Sequence, residues 1–301
     1  MPGQGALLQT LAATLARPVG DAERKSARLL LLDWLACVAG ARDSEAGHLG
    51  GEISRLGWER ATYVGNALEM DDVHEAARVH PGSIVWPAAM SMSSAAMDAR
   101  LDAGVRGYEA MIAVGSALDT HHHSHWDASA TAGVFGAAAA FGSLIGFAPV
   151  EYANAMGNAG SVAGGLLHMG HDDVLTRQWH VYHTVRTGRD AAMHVHYGAT
   201  GPVGILEGAQ GLLPAMTKEA GTLGSNGRGW LIQQVSFKPL PTTDSLAPPI
   251  HPLDEAQIAD KMHAFGKMGG LSAEQCGRAA NLALHGNEPA AIDTMLEEWL
   301  A

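Results

Sequence analysis

Hydrophobic residues recur along most of this chain with the spacing of helices, and each apolar stretch ends in a polar junction rich in His, Asp or Arg. The run ARLLLLDWLACVAGA predicts a core helix over Ala22–Ala39, with Gly40 at its end. Further helices are predicted from Ala61 through Leu68 and Met70, from Val85, and over Gly107–Leu118, Thr131–Gly146, Glu151–Leu167, Thr187–Tyr197, Asp254–Phe265, Ser272–Leu284 and Ala290–Leu300. Alternating β-branched runs are confined to short pieces such as Gln234–Lys238, so the pattern predicts an all-α fold.

The longest uncharged run, Ala128–Val150, has the length of a membrane span. It consists mostly of Ala and Gly with some Ser and Thr, a composition with weak affinity for lipid that suits helices packed closely in a protein core. We therefore expect a buried helix here and no membrane partner.

Composition excludes several classes of partner. The chain has 301 residues with 19 Lys and Arg against 31 Asp and Glu, and a net charge of -12, which opposes binding to nucleic acid. Cys37 and Cys276 are the only cysteines, so neither a disulfide framework nor a four-cysteine zinc site is possible. The opening residues have no basic stretch before their apolar run, as a secretory signal would. We expect a cytoplasmic protein.

The segment from Glu69 to His80 concentrates acids and histidines directly before Pro81 and Gly82. On a helix, Asp71, His74, Glu75 and Arg78 would be neighbours, and the segment would be an exposed, salt-bridged face. The alternative is a chain break that leaves the His80 imidazole beside carboxylates, where it can act as a general base near neutral pH.

Other histidines form further groups. In DTHHHSHWD, three consecutive histidines cannot all face one point, so at most two of this group serve a site. A zinc or iron site is possible, although no spacing typical of a metal class occurs. Later in the chain, Arg177 and His180 lie one helical turn apart, where the guanidinium can bind a carboxylate. Phosphate-loop, GxSxG and dinucleotide motifs are absent, and no cofactor is expected.

The run GNALEMDDVHEAARVHPGSIVWPAAM resembles the signature of the MmgE/PrpD family, which includes 2-methylcitrate dehydratase, cis-aconitate decarboxylase and iminodisuccinate epimerase. WDASATAGVFGAAAAFGSLIGF, HVYHTVRTGRDAAMHVHYGATGPVGILEG and SFKPLP are similar to later family segments, in order. The resemblance implies a large helical domain that carries most of the catalytic pocket and a homodimer formed through that domain.

Family members usually insert a smaller α+β lid late in the chain. Here, only Pro239–Pro252 separates the KP motif from LDEAQIADKMHAFG, which resembles the return to the helical domain. We therefore expect one helical domain over 1–301 with the lid deleted: a main part at 1–238, a short connection at 239–252 and C-terminal helices at 253–301.

By resemblance, the chain retains His80 of the HPG motif, Asp71 and Asp72 of the acidic motif, and His180 of a later motif. Other family positions are changed: Glu69 replaces the first acid, Val73 a threonine, Asp127 a histidine near His125, Arg177 a lysine, and Ala247 a histidine. Asp127 would repel an anion that histidine attracts, and Arg177 cannot donate a proton near neutral pH.

The leading hypothesis is a lidless lyase or isomerase acting on a carboxylate substrate that is larger and less anionic than methylcitrate. The expected catalytic residues are His80, assisted by Glu69 and Asp127, and Arg177, which orients an acidic group; the expected substrate-binding residues are Asp71, Asp72, His74, His125 and His180. Two alternatives are a non-catalytic scaffold or partner subunit derived from the family, and a His-rich metal protein.

Overall fold

The computed structural model describes residues 6–225, 229–240 and 248–301. In these ranges the chain forms α-helices joined by turns and two short 3-10 helices, with isolated β-bridges but no strand, which confirms the all-α fold. The helices of the first half are α1 (Ala6–Leu15), α2 (Asp21–Ala41), α3 (Glu45–Ile53), α4 (Gly57–Val64), α5 (Gly82–Met90), α6 (Met97–Gly115), α7 (Thr120–His123) and α8 (Ala128–Leu144). Those of the second half are α9 (Pro149–Gly160), α10 (Thr176–His196), α11 (Leu212–Met216), α12 (Glu255–Met268), α13 (Ala273–Leu284) and α14 (Pro289–Trp299).

Helix α8 is the centre of the core and packs against α5, α6, α9 and α10. Small residues allow these close contacts. A Cβ atom added to Gly136 would lie 2.9 Å from the backbone oxygen of Gly107 on α6, and one added to Gly188 on α10 would lie 2.4 Å from the Cβ of Ala137. The Ala- and Gly-rich run is therefore a buried helix that other helices approach at backbone distance, as its composition predicts.

Within the described ranges, no helix has the length and apolar character needed to cross a bilayer.

The helices that follow the Pro-rich stretch return to the helices of the first half. Helices α12 and α13 pack on α2, and α14 packs on α4. The chain enters this part through an antiparallel bridge in which Phe237 and Ile250 exchange backbone hydrogen bonds of 3.2 and 2.8 Å. Residues 241–247, where the position of the family histidine falls at Ala247, lie outside the described ranges.

Several predicted helix boundaries are wrong. Helix α10 begins at Thr176, eleven residues before the predicted start at Thr187, so Arg177 and His180 lie on a helix. Helix α9 ends at Gly160 rather than Leu167. The helix predicted from Ala61 through Met70 ends at Val64, and Glu69 has a φ of 54°, which a right-handed helix does not allow.

Candidate active site

The acid and histidine segment is a folded turn between α4 and α5, and its backbone groups pair with other parts of the chain. Val73 and Ser236 exchange hydrogen bonds of 2.9 Å, and the amide of His74 donates to the Val79 carbonyl at 3.0 Å. These bonds replace helical ones. The hypothesis of an exposed, salt-bridged helical face is therefore wrong for this segment.

Two residues of the segment have left-handed backbone conformations. Glu69 has a φ of 54° and Arg78 a φ of 53°, values that side chains other than glycine rarely adopt. Strained residues of this kind persist only where the surrounding structure holds them, and they are concentrated at functional sites. Both side chains lie at the wall of the same cleft.

This cleft has a volume of about 260 Å³ and is formed by the acid and histidine segment, the first turns of α5, α8 and α10, and the residues that follow α7. Three helices thus begin at its wall, and the partial positive charge of helix N-termini favours an anionic ligand. Its titratable lining residues are Glu69, Asp71, Arg78, His80, His123, Asp127, Arg177, His180 and Lys238.

His80 is held in one orientation at the cleft wall. Its backbone amide donates to the hydroxyl of Ser129 at 2.9 Å, and its Nδ1 lies 2.8 Å from the backbone carbonyl oxygen of Asp72. A carbonyl oxygen only accepts hydrogen bonds, so Nδ1 carries the proton and Nε2 of the neutral ring has a free lone pair. The side chain is about one-third exposed, at 36%. His80 can therefore accept a proton from a ligand through Nε2.

Asp71 and Asp72 have different environments. Asp72 is buried behind the cleft wall, where its carboxylate accepts from the Gly82 amide at 2.8 Å and the Tyr108 hydroxyl at 2.5 Å. Burial, together with the nearby charge of Asp33, raises the pKa of Asp72 to about 8. Asp72, which was expected to bind substrate, does not line the cleft, and its hydrogen bonds anchor the segment to α5 and α6.

Asp71 lies on the cleft wall although only 2% of it is exposed. Its Oδ1 is 3.7 Å from Nδ1 of His80, and its Oδ2 has no hydrogen-bond partner in the described parts of the chain. A carboxylate in this position stabilises the positive charge that His80 gains when it accepts a proton.

Glu69 and two basic residues form the rim of the cleft. A terminal guanidinium nitrogen of Arg177 donates to the Glu69 carboxylate at 2.7 Å, and Nζ of Lys238 donates to the Glu69 backbone carbonyl at 2.6 Å. Glu69 is 69% exposed in this pair, so it lies further from the interior than His80 does. Lys238 was absent from the expected site, although it is the lysine of the KP motif.

Asp127 and His180 both line the cleft, close enough for the charge of Asp127 to act on the histidine. Asp127 caps this helix, since its Oδ1 accepts from the amides of Ser129 at 2.9 Å and Ala130 at 3.4 Å. Burial lowers the pKa of His180, an effect that the charge of Asp127 opposes and that His183 and Arg177 reinforce. His180 is therefore neutral near pH 7, and its buried Nδ1 has no partner among the described residues.

Besides Asp72, the structure places two other expected substrate-binding residues away from the cleft wall. His74 is buried in the turn, where its Nδ1 accepts from the Ala77 amide at 3.2 Å and burial lowers its pKa. His125 is exposed and its Nδ1 donates to the His121 carbonyl at 2.9 Å. His123 lies on the wall instead. The sequence contained no signal to separate His123 from its histidine neighbours.

Across the described ranges, no group of three or more His, Cys, Asp or Glu side chains is arranged to hold a metal ion.

Two comparisons with known proteins show which family the chain resembles. A family model, the MmgE/PrpD N-terminal domain, matches residues 61–222, which include most of the cleft wall. The chain is also 29% identical over 167 residues to the cis-aconitate decarboxylase of Aspergillus terreus, a match that covers 52% of this chain and 34% of that protein. The chain thus spans about a third of the length of the curated relative that it matches. Because the family model matches more than half of its residues, the chain belongs to the MmgE/PrpD family.

Proposed function

We propose that this protein is a lyase or isomerase that moves a proton at a carbon atom next to a carboxylate group, with His80 as the general base or acid. The hydrogen bond between Nδ1 of His80 and the Asp72 carbonyl carries this proposal, since it leaves Nε2 as the proton acceptor. His180 lines the same cleft, where burial lowers its pKa.

The basic groups of the cleft support a carboxylate substrate. Arg177, Lys238 and Arg78 line the cleft in a chain whose net charge is -12, so they concentrate positive charge where the rest of the molecule would repel an anion. A guanidinium binds a carboxylate with paired donors. The name of the relative, cis-aconitate decarboxylase, also describes an enzyme that acts on a carboxylate.

The acids of the cleft limit how anionic the substrate can be. Asp71, Asp127 and Glu69 line the same cavity and oppose a third carboxylate. The connection from 239 to 252 is much shorter than a lid domain, so we infer that the chain is one helical domain whose open cleft accepts substrates larger than methylcitrate. Glu69 and Asp127 would assist proton transfer in this scheme, and Arg177 with His180 would orient the acidic group.

Two further features of this proposal concern the state of the protein in the cell. Cys37 and Cys276 are free and buried, as suits the reducing cytoplasm. A homodimer follows from the family resemblance.

Exchange of carbon-bound hydrogen for deuterium tests the proposal without knowledge of the reaction direction. Purified protein is incubated in D2O with 2-methylcitrate, cis-aconitate, iminodisuccinate and larger dicarboxylates, and loss of C–H resonances is followed by proton NMR. We expect exchange with at least one larger dicarboxylate. His80→Gln should slow it by about 10²–10⁴-fold, because glutamine can still donate to the Asp72 carbonyl but cannot accept a proton.

His263→Ala is the matched control, because His263 is an exposed histidine on α12 that does not line the cleft. Equal exchange rates for the wild type and His80→Gln would refute the role of His80. No exchange with any compound, together with recovery of a full-length family member in pull-down experiments, would instead support a non-catalytic partner subunit.

A further inference from the structure

A second groove adjoins the candidate active site and shares two residues with it. The groove has a volume of about 610 Å³ and lies between the acid and histidine segment, the start of α7 and the turn that follows α11. Arg78 and His123 line both the cleft and the groove. The cleft and the groove therefore meet at these two side chains.

Arg78 is available to such a ligand. Its side chain is exposed and has no carboxylate partner among the described residues, in contrast to Arg177, which is paired with Glu69. Arg78 has a strained φ of 53°, and its side chain lies at the boundary between the cleft and the groove. His123 is close to it: burial lowers the pKa of His123, and the charge of Arg78 lowers it further.

Asp119, one of two acids on the wall of the groove, is hydrogen-bonded by the backbone. Asp119 accepts from the amides of Lys218 at 2.8 Å, Glu219 at 2.9 Å and His122 at 2.9 Å. Burial alone would raise its pKa, but these bonds outweigh that effect and lower the pKa to about 2. Asp119 thus stays ionised, its carboxylate is taken up by three backbone donors, and it fixes the turn that carries Lys218 against the start of α7.

We propose that this groove is a second anion subsite, in which Arg78 and Lys218 bind the distal carboxylate of an elongated dicarboxylate while the proximal carboxylate lies in the cleft. Lys218 is exposed on the groove wall, and its ammonium makes no hydrogen bond or ion pair within the described ranges. Glu219 is the opposing acid on the same wall. The inference rests on the proposed function of the cleft and specifies its substrate class: a chain with carboxylates at both ends.

Calorimetric titration with matched ligand pairs tests the subsite. The ligands are succinate, adipate and suberate, each compared with its monoamide, which keeps the length but removes one charge. For the wild type, we expect the ratio of the monoamide Kd to the diacid Kd to increase with chain length and to reach about fivefold, the effect of one exposed ion pair. In Lys218→Gln, which keeps Arg78, this ratio should fall towards one at the longer chain lengths.

Lys267→Gln is the control, because Lys267 is an exposed lysine on α12 that lines neither cavity, and it should keep the wild-type ratio. A wild-type ratio near one at all lengths, or a ratio unchanged in Lys218→Gln, would overturn the second subsite. Failure of the cleft itself has a different signature, in which Arg177→Gln leaves the Kd of the monoamides unchanged. Absence of binding by all three diacids would overturn both proposals.

Discussion

Nζ of Lys261 lies 2.6 Å from Oδ1 of Asp33, and both side chains are almost completely buried. The same ammonium donates to the backbone carbonyl of Met70 at 2.6 Å, directly before Asp71. Burial lowers the pKa of Lys261, but the charge of Asp33 outweighs this effect and raises it, so the ammonium stays charged; burial raises the pKa of Asp33, an effect that the charge of Lys261 opposes. Lys261 thereby links α12 and α2 to the start of the acid segment.

Replacing Lys261 should destabilise the protein strongly. Lys261→Met leaves the Asp33 carboxylate buried without its counter-charge, which costs about 3–5 kcal/mol of unfolding free energy. Urea denaturation followed by circular dichroism measures the loss. The control Lys267→Met, an exposed position on the same helix, should change stability by less than about 0.5 kcal/mol.

The double variant Asp33→Leu, Lys261→Met removes both charges and should recover a large part of this loss. If the single and double variants were equally unstable, packing rather than the unpaired charge would account for the effect.

Asp72 should make the protein less stable as pH rises. Its pKa is about 8 in the folded chain, against about 4 in an unfolded one, so the folded state binds a proton that the unfolded state releases. This contribution is fully present below about pH 4 and is lost as pH rises through about 8, at up to about 1.4 kcal/mol per pH unit. Asp72→Asn should remove that slope.

Urea unfolding of the wild type and Asp72→Asn at pH 5, 6.5 and 8 gives the two slopes. Asp260→Asn, at an exposed position on α12, serves as the control and should follow the wild type. Parallel pH profiles for the wild type and Asp72→Asn would show that Asp72 is ionised throughout this range.

Arg78 should be more important for ligand binding than for stability. Glycine adopts a φ of 53° without strain, so Arg78→Gly should unfold at the wild-type denaturant concentration or higher, whereas Arg78→Ala keeps the strain. We expect the glycine variant to be more stable than the alanine variant by about 1 kcal/mol. Both should bind suberate more weakly than the wild type. An alanine variant as stable as the glycine variant would contradict a strained backbone at this position.

The all-α fold could be predicted from the sequence because the spacing of apolar residues and the content of small residues are properties of each short segment. The run that forms α8 contains no charged residue, so it can be buried without an ion pair. Its many Ala and Gly residues indicate that neighbouring helices pack closely against it. The prediction of a helix through Met70 was wrong because this segment is held by contacts with distant parts of the chain. The bonds that hold this segment come from Ser236 and Lys261, more than 160 residues away in the chain, and no local pattern encodes them.

The site was predicted in part. The break directly after His80 predicted an imidazole at a helix end beside a carboxylate; His80 lies just before the start of α5, with Nδ1 3.7 Å from Oδ1 of Asp71. The assignment of His125 depended on its proximity to Asp127 in sequence, but the turn after α7 directs His123 into the cleft and leaves His125 exposed. Lys238 reaches the cleft because Ser236 pairs with Val73, a contact between distant segments.

The hydrogen-bonded pair of Phe237 and Ile250 also affects how this protein can evolve. Because the two backbones lie side by side, any segment between them leaves and re-enters the helical part at one place, next to Lys238 at the rim of the cleft. The entropy of closing such a segment increases only slowly with its length. A whole domain can therefore be acquired or lost at this position while α12 and the helices beneath it keep their packing.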